Sequence, residues 1–324
     1  MSWVRVPPRK VSTIMGSSVG RARKKLLKRL VKERKIMNIQ SLSIVVPTGK
    51  CWNQCAFCVS RMHHEDYGCN IIKVSDTEVN IPQSYLNRMR FVREEGCNSM
   101  ILTGTAEPQQ NLKFIRRLLF YNETLPNPFY NISIQTTGSG FTSEDIFDLA
   151  NRGVTTLALS ISSLNDNNNW DIINTPPAKR TMRILELVQT AKAANMNVRA
   201  CFNLTDEFHS MDPEDYFNWA AMNKVDQVTF RKIYKDGSGA EAKWVEEHEF
   251  NESYFEEIKS YVKTHGVPIA RLPYGFVQYS VHGISTVIDD NCMSKDNIDE
   301  IKYAILRPNG HLYSRWDDTG SLIF

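Results

Sequence analysis

From residue 41 onward the chain alternates short apolar runs with longer stretches whose apolar positions recur at helical spacing. "SLSIVV" (41–46), ended by Pro47, predicts a buried strand. "NSMILTG" (98–104), "NISIQTT" (131–137), "TTLALSIS" (155–162), "NVRACFNL" (197–204) and "DQVTFRKI" (226–233) predict five more. Between them the pattern predicts helices over about 82–95, 110–121, 142–151, 178–195 and 213–223. In the fourth, Ile184, Leu187, Val188, Ala191 and Ala194 share one face. Thr142 and Ser143, ahead of Glu144, are cap-like residues for the third. Strand then helix, repeated along the chain, requires a parallel sheet with right-handed crossovers. Functional residues of such a fold belong at the carboxyl ends of the strands and in the loops that follow.

Beyond residue 235 the pattern weakens. "EFNESYFEEIKSYVKTHGVP" (249–268) predicts a helix followed by a turn, and "PYGFVQYSV" a strand. The last residues hold two strand-like runs joined by Pro308-Asn309-Gly310, a hairpin signal. "NDNNNW" (165–170) is read as a loop without a role.

With 324 residues, the chain is long enough for one large α/β domain or two smaller ones. Its 42% hydrophobic and 23% charged residues describe a soluble globular protein. Seven cysteines without a secretory signal, and no apolar run long enough to span a membrane, predict cytoplasmic thiols and no membrane partner.

Residues 1–36 differ from the rest. They hold twelve Lys or Arg against one acid, Glu33. The net charge of +3 therefore conceals a body with 27 basic and 35 acidic residues, a net of −8. An acidic body argues against a broad nucleic-acid face on the core. Leu26, Leu27, Leu30 and Val31 share one side of a basic helix suited to RNA or an acidic membrane surface. Two plainer readings stay open: a solvated, disordered arm, or an over-extended reading frame whose natural start is Met37. "WVRVPP" and "GSSVGRA" back-translate to patterns of a transfer-RNA gene, which favours the last.

The chemistry concentrates in "KCWNQCAFCVS" (50–60), with Cys51, Cys55 and Cys58 inside eight positions. Cys55 and Cys58 are too close in sequence to staple a fold of this size. A structural zinc site wants four ligands in paired knuckles, and no second C-x-x-C follows. Thioredoxin-like redox chemistry leaves Cys51 unexplained. An iron–sulfur cluster held by three thiolates uses all three and leaves one iron open.

The spacing C-x-x-x-C-x-x-C, with Phe57 before the last cysteine, resembles the radical S-adenosylmethionine (radical SAM) superfamily. The resemblance covers roughly residues 41–235 and implies an open, partial (β/α)6 TIM-like barrel. It implies a 4Fe–4S cluster on Cys51, Cys55 and Cys58, with the methionine end of S-adenosylmethionine on the open iron. One electron then cleaves the sulfonium to a 5′-deoxyadenosyl radical, which takes a hydrogen atom from a substrate. After the second strand, Gly104, Thr105, Ala106, Glu107 and Pro108 stand where the family carries a Gly-Gly-Glu-Pro-like motif for the cofactor's amino group. Both glycines are replaced here by small residues, and the acid is kept. Thr137, after the third strand, stands in place of the family's Asn. Ser160, Ser162 and Asn203 resemble ribose or carboxylate contacts, and Arg231 stands where it could pair the cofactor carboxylate. Phe57 offers an apolar face for adenine.

Set beside the basic tail (1–36) read from charge, the resemblance implies a core barrel (37–235) and an extension (236–324) covering the barrel mouth and ending in a hairpin. That architecture is closest to the molybdenum-cofactor cyclase and to peptide-modifying members. Only Cys292 lies beyond Cys201, so no auxiliary cluster is expected. Cys69, Cys97, Cys201 and Cys292 read as buried small hydrophobes, with Cys292 also a candidate hydrogen-atom donor and His64 a candidate substrate contact. Implied partners are a small-molecule, nucleotide or peptide substrate and an electron donor such as flavodoxin or ferredoxin. Nucleic acid is not favoured. Two alternatives remain: an RNA- or nucleotide-modifying radical SAM enzyme using the basic arm, and a non-catalytic iron–sulfur binding module.

Overall fold

The computed structural model describes residues 38–62, 68–272, 276–290 and 300–324. The tail, His64 and Cys292 lie outside them. Six strands follow the expected alternation: β1 (Asn38–Val45), β2 (Ser99–Thr103), β3 (Asn131–Thr136), β4 (Thr156–Ile161), β5 (Asn197–Leu204) and β6 (Gln227–Lys232). The intervening helices are α1 (Gln83–Glu94), α2 (Leu112–Glu123), α3 (Ser143–Asn151), α4 (Ile184–Ala193) and α5 (Pro213–Met222). Thr142 caps α3 in a capping box with Asp145. The helix expected over 178–195 begins later, because Pro176 and Pro177 allow only a single 3-10 turn before Ile184.

The six strands pair in parallel and in sequence order, each next to its predecessor. Strand alternation sends apolar side chains outward under the helices, for example Leu157, Leu159 and Ile161 of β4. The same alternation turns Thr156, Ala158 and Ser160 inward, onto a cavity. The result is the partial (β/α)6 barrel, with an extension that ends in a hairpin.

That extension holds α6 (Ala240–Glu247), α7 (Glu252–His265), β7 (Gly266–Arg271), β8 (Val277–Val281), β9 (Ile284–Asp289), β10 (Glu300–Leu306) and β11 (Leu312–Tyr313). Where a turn was expected after residue 265, β7 follows α7 directly. Its residues find hydrogen-bond partners in β8, which a turn would not offer. The strands of the extension join the barrel wall at both edges: β10 pairs in parallel with β1, and β9 with β6. Eight parallel strands therefore run in one sheet. Its outer members approach each other, since Lys302 Nζ of β10 lies 2.9 Å from Asp289 Oδ1 of β9. Both side chains are nearly inaccessible, at 3% and 8% exposure. An ion pair rather than backbone hydrogen bonds bridges the seam.

The asparagine-rich stretch also departs from expectation. It forms a short helix, Asp166–Ile172, capped by Asn165. The buried Asn169 accepts hydrogen bonds from the backbone of Ser162 (2.8 Å) and Ser163 (3.3 Å), tying down the loop after β4. Asparagine suits this work because its short amide satisfies backbone groups where no ladder continues. Cys97 and Cys201 are buried as expected, whereas Cys69 is exposed.

Candidate functional site

The loop after β1 carries Cys51, Cys55 and Cys58, all free thiols of intermediate exposure on the cavity wall. The residues between them hold the loop in place. Trp52 donates its indole N–H to Ser139 Oγ (2.8 Å), and Lys179 Nζ sits 4.4 Å from its ring centre. Gly140 makes room for that ring: its φ is +78°, and a Cβ there would meet Trp52 at 2.7 Å. Asn53 is buried and donates to Ser139 Oγ (2.9 Å), Thr137 Oγ1 (3.0 Å) and Glu107 Oε1 (3.3 Å). Its carbonyl accepts from Thr175 Oγ1 at 2.9 Å. One side chain thus ties the cysteine loop to three other loops.

Glu107 sits in the loop after β2, buried at 7% exposure and on the cavity wall. Its Oε2 accepts from Thr136 Oγ1 (2.6 Å) and Gln109 Nε2 (2.9 Å). Its Oε1 accepts from Thr137 Oγ1 (3.0 Å) and Asn53, and the Thr137 backbone N–H reaches both oxygens at 3.3 Å. Burial pushes the carboxyl above its ordinary range, and the hydrogen bonds from Thr136, Gln109 and Thr137 partly offset this. Gly104 lets the turn close: a Cβ there would stand 3.2 Å from Ala106 O.

Burial likewise raises the Cys51 thiol. It raises the Cys55 thiol strongly, helped by the neighbouring charges of Cys58 and Glu107. Among the described residues, no three His, Cys, Asp or Glu side chains converge as one metal ion requires. A cuboidal cluster asks for something different, because each thiolate meets its own iron.

The remaining candidates spread around the same cavity. Phe57, Thr105, Ala106, Thr137, Ser160, Asn203 and Arg231 line it. Ser162 lies behind the wall, fully buried, with Asn203 Nδ2 3.4 Å from its hydroxyl. Arg231 faces Asp289 at 3.7 Å, on the seam. Phe57 packs on Trp244 of α6 with ring centres 5.7 Å apart, and Arg61 pairs with Glu241 of the same helix at 2.7 Å. Leu272, Phe276, Arg307 and Trp316 bring the extension to the cavity.

Sequence reasoning passed over Asn53, Thr136, Gln109, Ser139 and Trp244. Asn53 carried one signal, its place between two of the cysteines. Gln109 stands two residues from the Glu107 it donates to, whereas the contacts of Thr136 with Glu107, of Ser139 with Trp52 and Asn53, and of Trp244 with Phe57 join distant parts of the chain.

Residues 45–216 match the model of the radical SAM superfamily. The chain belongs to that superfamily. It is a radical SAM enzyme, and its cofactors are those of the family, a 4Fe–4S cluster and S-adenosylmethionine. The fold is similar to that of Streptococcus suis SuiB bound to its precursor peptide SuiA, with 13% identity and a TM-score of 0.53. That match covers 96% of this chain and 67% of SuiB. SuiB bound to S-adenosylmethionine matches at 14% identity and a TM-score of 0.56, over 90% of this chain and 64% of that one. anSMEcpe with bound AdoMet and the Kp18Cys peptide matches at 9% identity and a TM-score of 0.51, over 85% and 74%. The chain thus spans about two thirds of the length of SuiB. No curated protein matches the sequence. Among the described residues, no helix is long and apolar enough to cross a membrane.

Proposed function

We propose that Cys51, Cys55 and Cys58 hold the cluster and that the enzyme abstracts a hydrogen atom from a substrate lodged in the barrel cavity. The observation that carries this reading is the opening of three free thiols from one anchored loop onto the same cavity wall as Glu107. The donor set fits the group. It is all sulfur, three in number, and leaves one iron for another ligand. Thiols whose protonation is favoured by burial lose their protons when cationic iron arrives beside them, so binding couples to proton release. When bound, the reduced cluster supplies the electron that splits S-adenosylmethionine into methionine and a 5′-deoxyadenosyl radical.

The chain's own residues then orient and enclose. Glu107 faces the place where the cofactor's ammonium belongs, but a carboxylate offers about four lone-pair sites, and its present donors already fill them. Accepting the ammonium there requires some of these donors to give way, and the 3.3 Å contacts from Asn53 and the Thr137 backbone N–H are the longest. Phe57, steadied by Trp244, presents the apolar face against which adenine packs. Ser160 and Asn203, on the same cavity, supply hydroxyl and amide groups for ribose or carboxylate.

Both SuiB and anSMEcpe have structures with peptides bound. Those structures support a peptide as one substrate class for this cavity. A flavodoxin or ferredoxin is the electron source proposed with it. The test is anaerobic reconstitution followed by dithionite and S-adenosylmethionine. Release of 5′-deoxyadenosine is expected from the wild-type protein. Replacing Cys51, Cys55 and Cys58 together by Ala should abolish both that release and the broad visible absorption of the cluster. A triple variant that keeps its iron overturns the assignment, and an iron-loaded wild type that never cleaves the cofactor favours a non-catalytic module.

A further inference from the structure

Closed eight-stranded (β/α) barrels are packed with branched apolar side chains. This partial barrel encloses a cavity of about 950 Å³ that reaches from the cysteine loop to the amino ends of the strands, where Asn131 and Asn197 line it. Leaving a barrel unfilled forgoes apolar burial, so a polar interior calls for a use.

Near the floor stands Arg199, two residues into β5 and half-buried. Its Nε donates to Gln227 Oε1 of β6 at 2.7 Å. Among the described residues no carboxylate pairs with it, whereas Lys302 and Arg231 both face Asp289. Strand register sets Arg199, Gln227 and Ser285 side by side across β5, β6 and β9. Gln278 of β8 completes the row by donating Nε2–H to Ser285 Oγ at 2.7 Å.

The direction of these bonds decides what the row offers. Arginine can only donate, so the Gln227 oxygen is the acceptor and its amide N–H groups remain available. Ser285 accepts from Gln278, which leaves its own O–H to donate. The guanidinium nitrogens, the Gln227 amide and the Ser285 hydroxyl therefore present donors and one positive charge to the cavity.

We propose that this row binds an oxyanion of the substrate, a carboxylate or a phosphate, at the end of the cavity far from the reacting atoms. Four residues of strand separate Arg199 from Asn203 near the mouth, about 13 Å at the usual rise. The substrate is therefore elongated and polar, with its anion below and its reacting carbon above. Only what happens above rests on the radical SAM reading.

Phenylglyoxal modification of the reconstituted protein, mapped by peptide mass spectrometry, tests the floor by itself. Millimolar inorganic phosphate or succinate should slow modification of Arg199 by about tenfold, as expected for charge-assisted bonds to a guanidinium. The exposed Arg271 should react at an unchanged rate. Protection by phosphate alone identifies a phosphoryl-bearing substrate, and protection by succinate a carboxylate-bearing one. Arg199→Gln should lose the phosphorus-31 line broadening that phosphate shows with the wild type. Equal modification of Arg199 with and without both anions overturns the proposal. Release of 5′-deoxyadenosine by the same preparation reports separately on the chemistry above.

Discussion

Asn53 and Glu107 together do for the cysteine loop what a backbone ladder does for a strand. Asn53 uses both ends of its amide, so Asn53→Ala leaves Thr175, Thr137 and Ser139 without a partner they now share. The expected cost is about 2 kcal/mol of unfolding free energy in the apo protein, read from the urea midpoint. An unchanged midpoint would mean that the loop is held elsewhere. Glu107→Gln is a different perturbation. Its new NH₂ group meets donors that cannot all turn away: the Thr137 backbone N–H and the amides of Gln109 and Asn53. A loss of about 1–3 kcal/mol is expected, in stability and in affinity for S-adenosylmethionine measured by equilibrium dialysis. Iron content should stay at the wild-type level, because none of the three cysteines is touched. Retained affinity would remove Glu107 from the cofactor's surroundings.

The helix α6 follows β6, the last of the six barrel strands, and buttresses the cysteine loop. Trp244 covers Phe57, Glu241 holds Arg61, and Arg61 in turn donates to the Cys55 carbonyl. Trp244 is itself steadied by His248, stacked at 4.2 Å, which binds Asp206. Trp244→Ala should therefore loosen a segment far from it in sequence. Hydrogen exchange is the measurement: amides of residues 55–62 should exchange faster, while those of β3 and β4 keep their protection. Unaltered exchange in 55–62 would show that α6 merely lies alongside.

The seam between β9 and β10 decides whether the eight parallel strands act as one wall. A buried ion pair is costly to break from one side, because the remaining charge stays desolvated. Lys302→Met should lower unfolding free energy by about 3 kcal/mol, measured by urea denaturation. Combining it with Asp289→Leu should recover part of that loss, since no buried carboxylate is then stranded, although Arg231 also faces that acid. A neutral single variant would mean that the outer strands part in solution.

Much of this was legible in advance, and for local reasons. The six strands and five helices were readable because their signals are periods of two and 3.6 residues, complete within each segment. The cysteine triad was readable because its three thiols share one loop, and Glu107 because it follows the strand after it. The deciding partners were not local. Asn53 finds Glu107 54 residues away and Thr175 122 residues away, and no period announces either. The strand β9 was missed, and β10 was recognised only as half of a hairpin. Their places beside β6 and β1 follow from how the whole sheet curls. The row formed by Arg199, Gln227 and Ser285 exists only through strand register. Local alternation can say that a side chain points inward, but only the pairing of distant strands says what stands next to it.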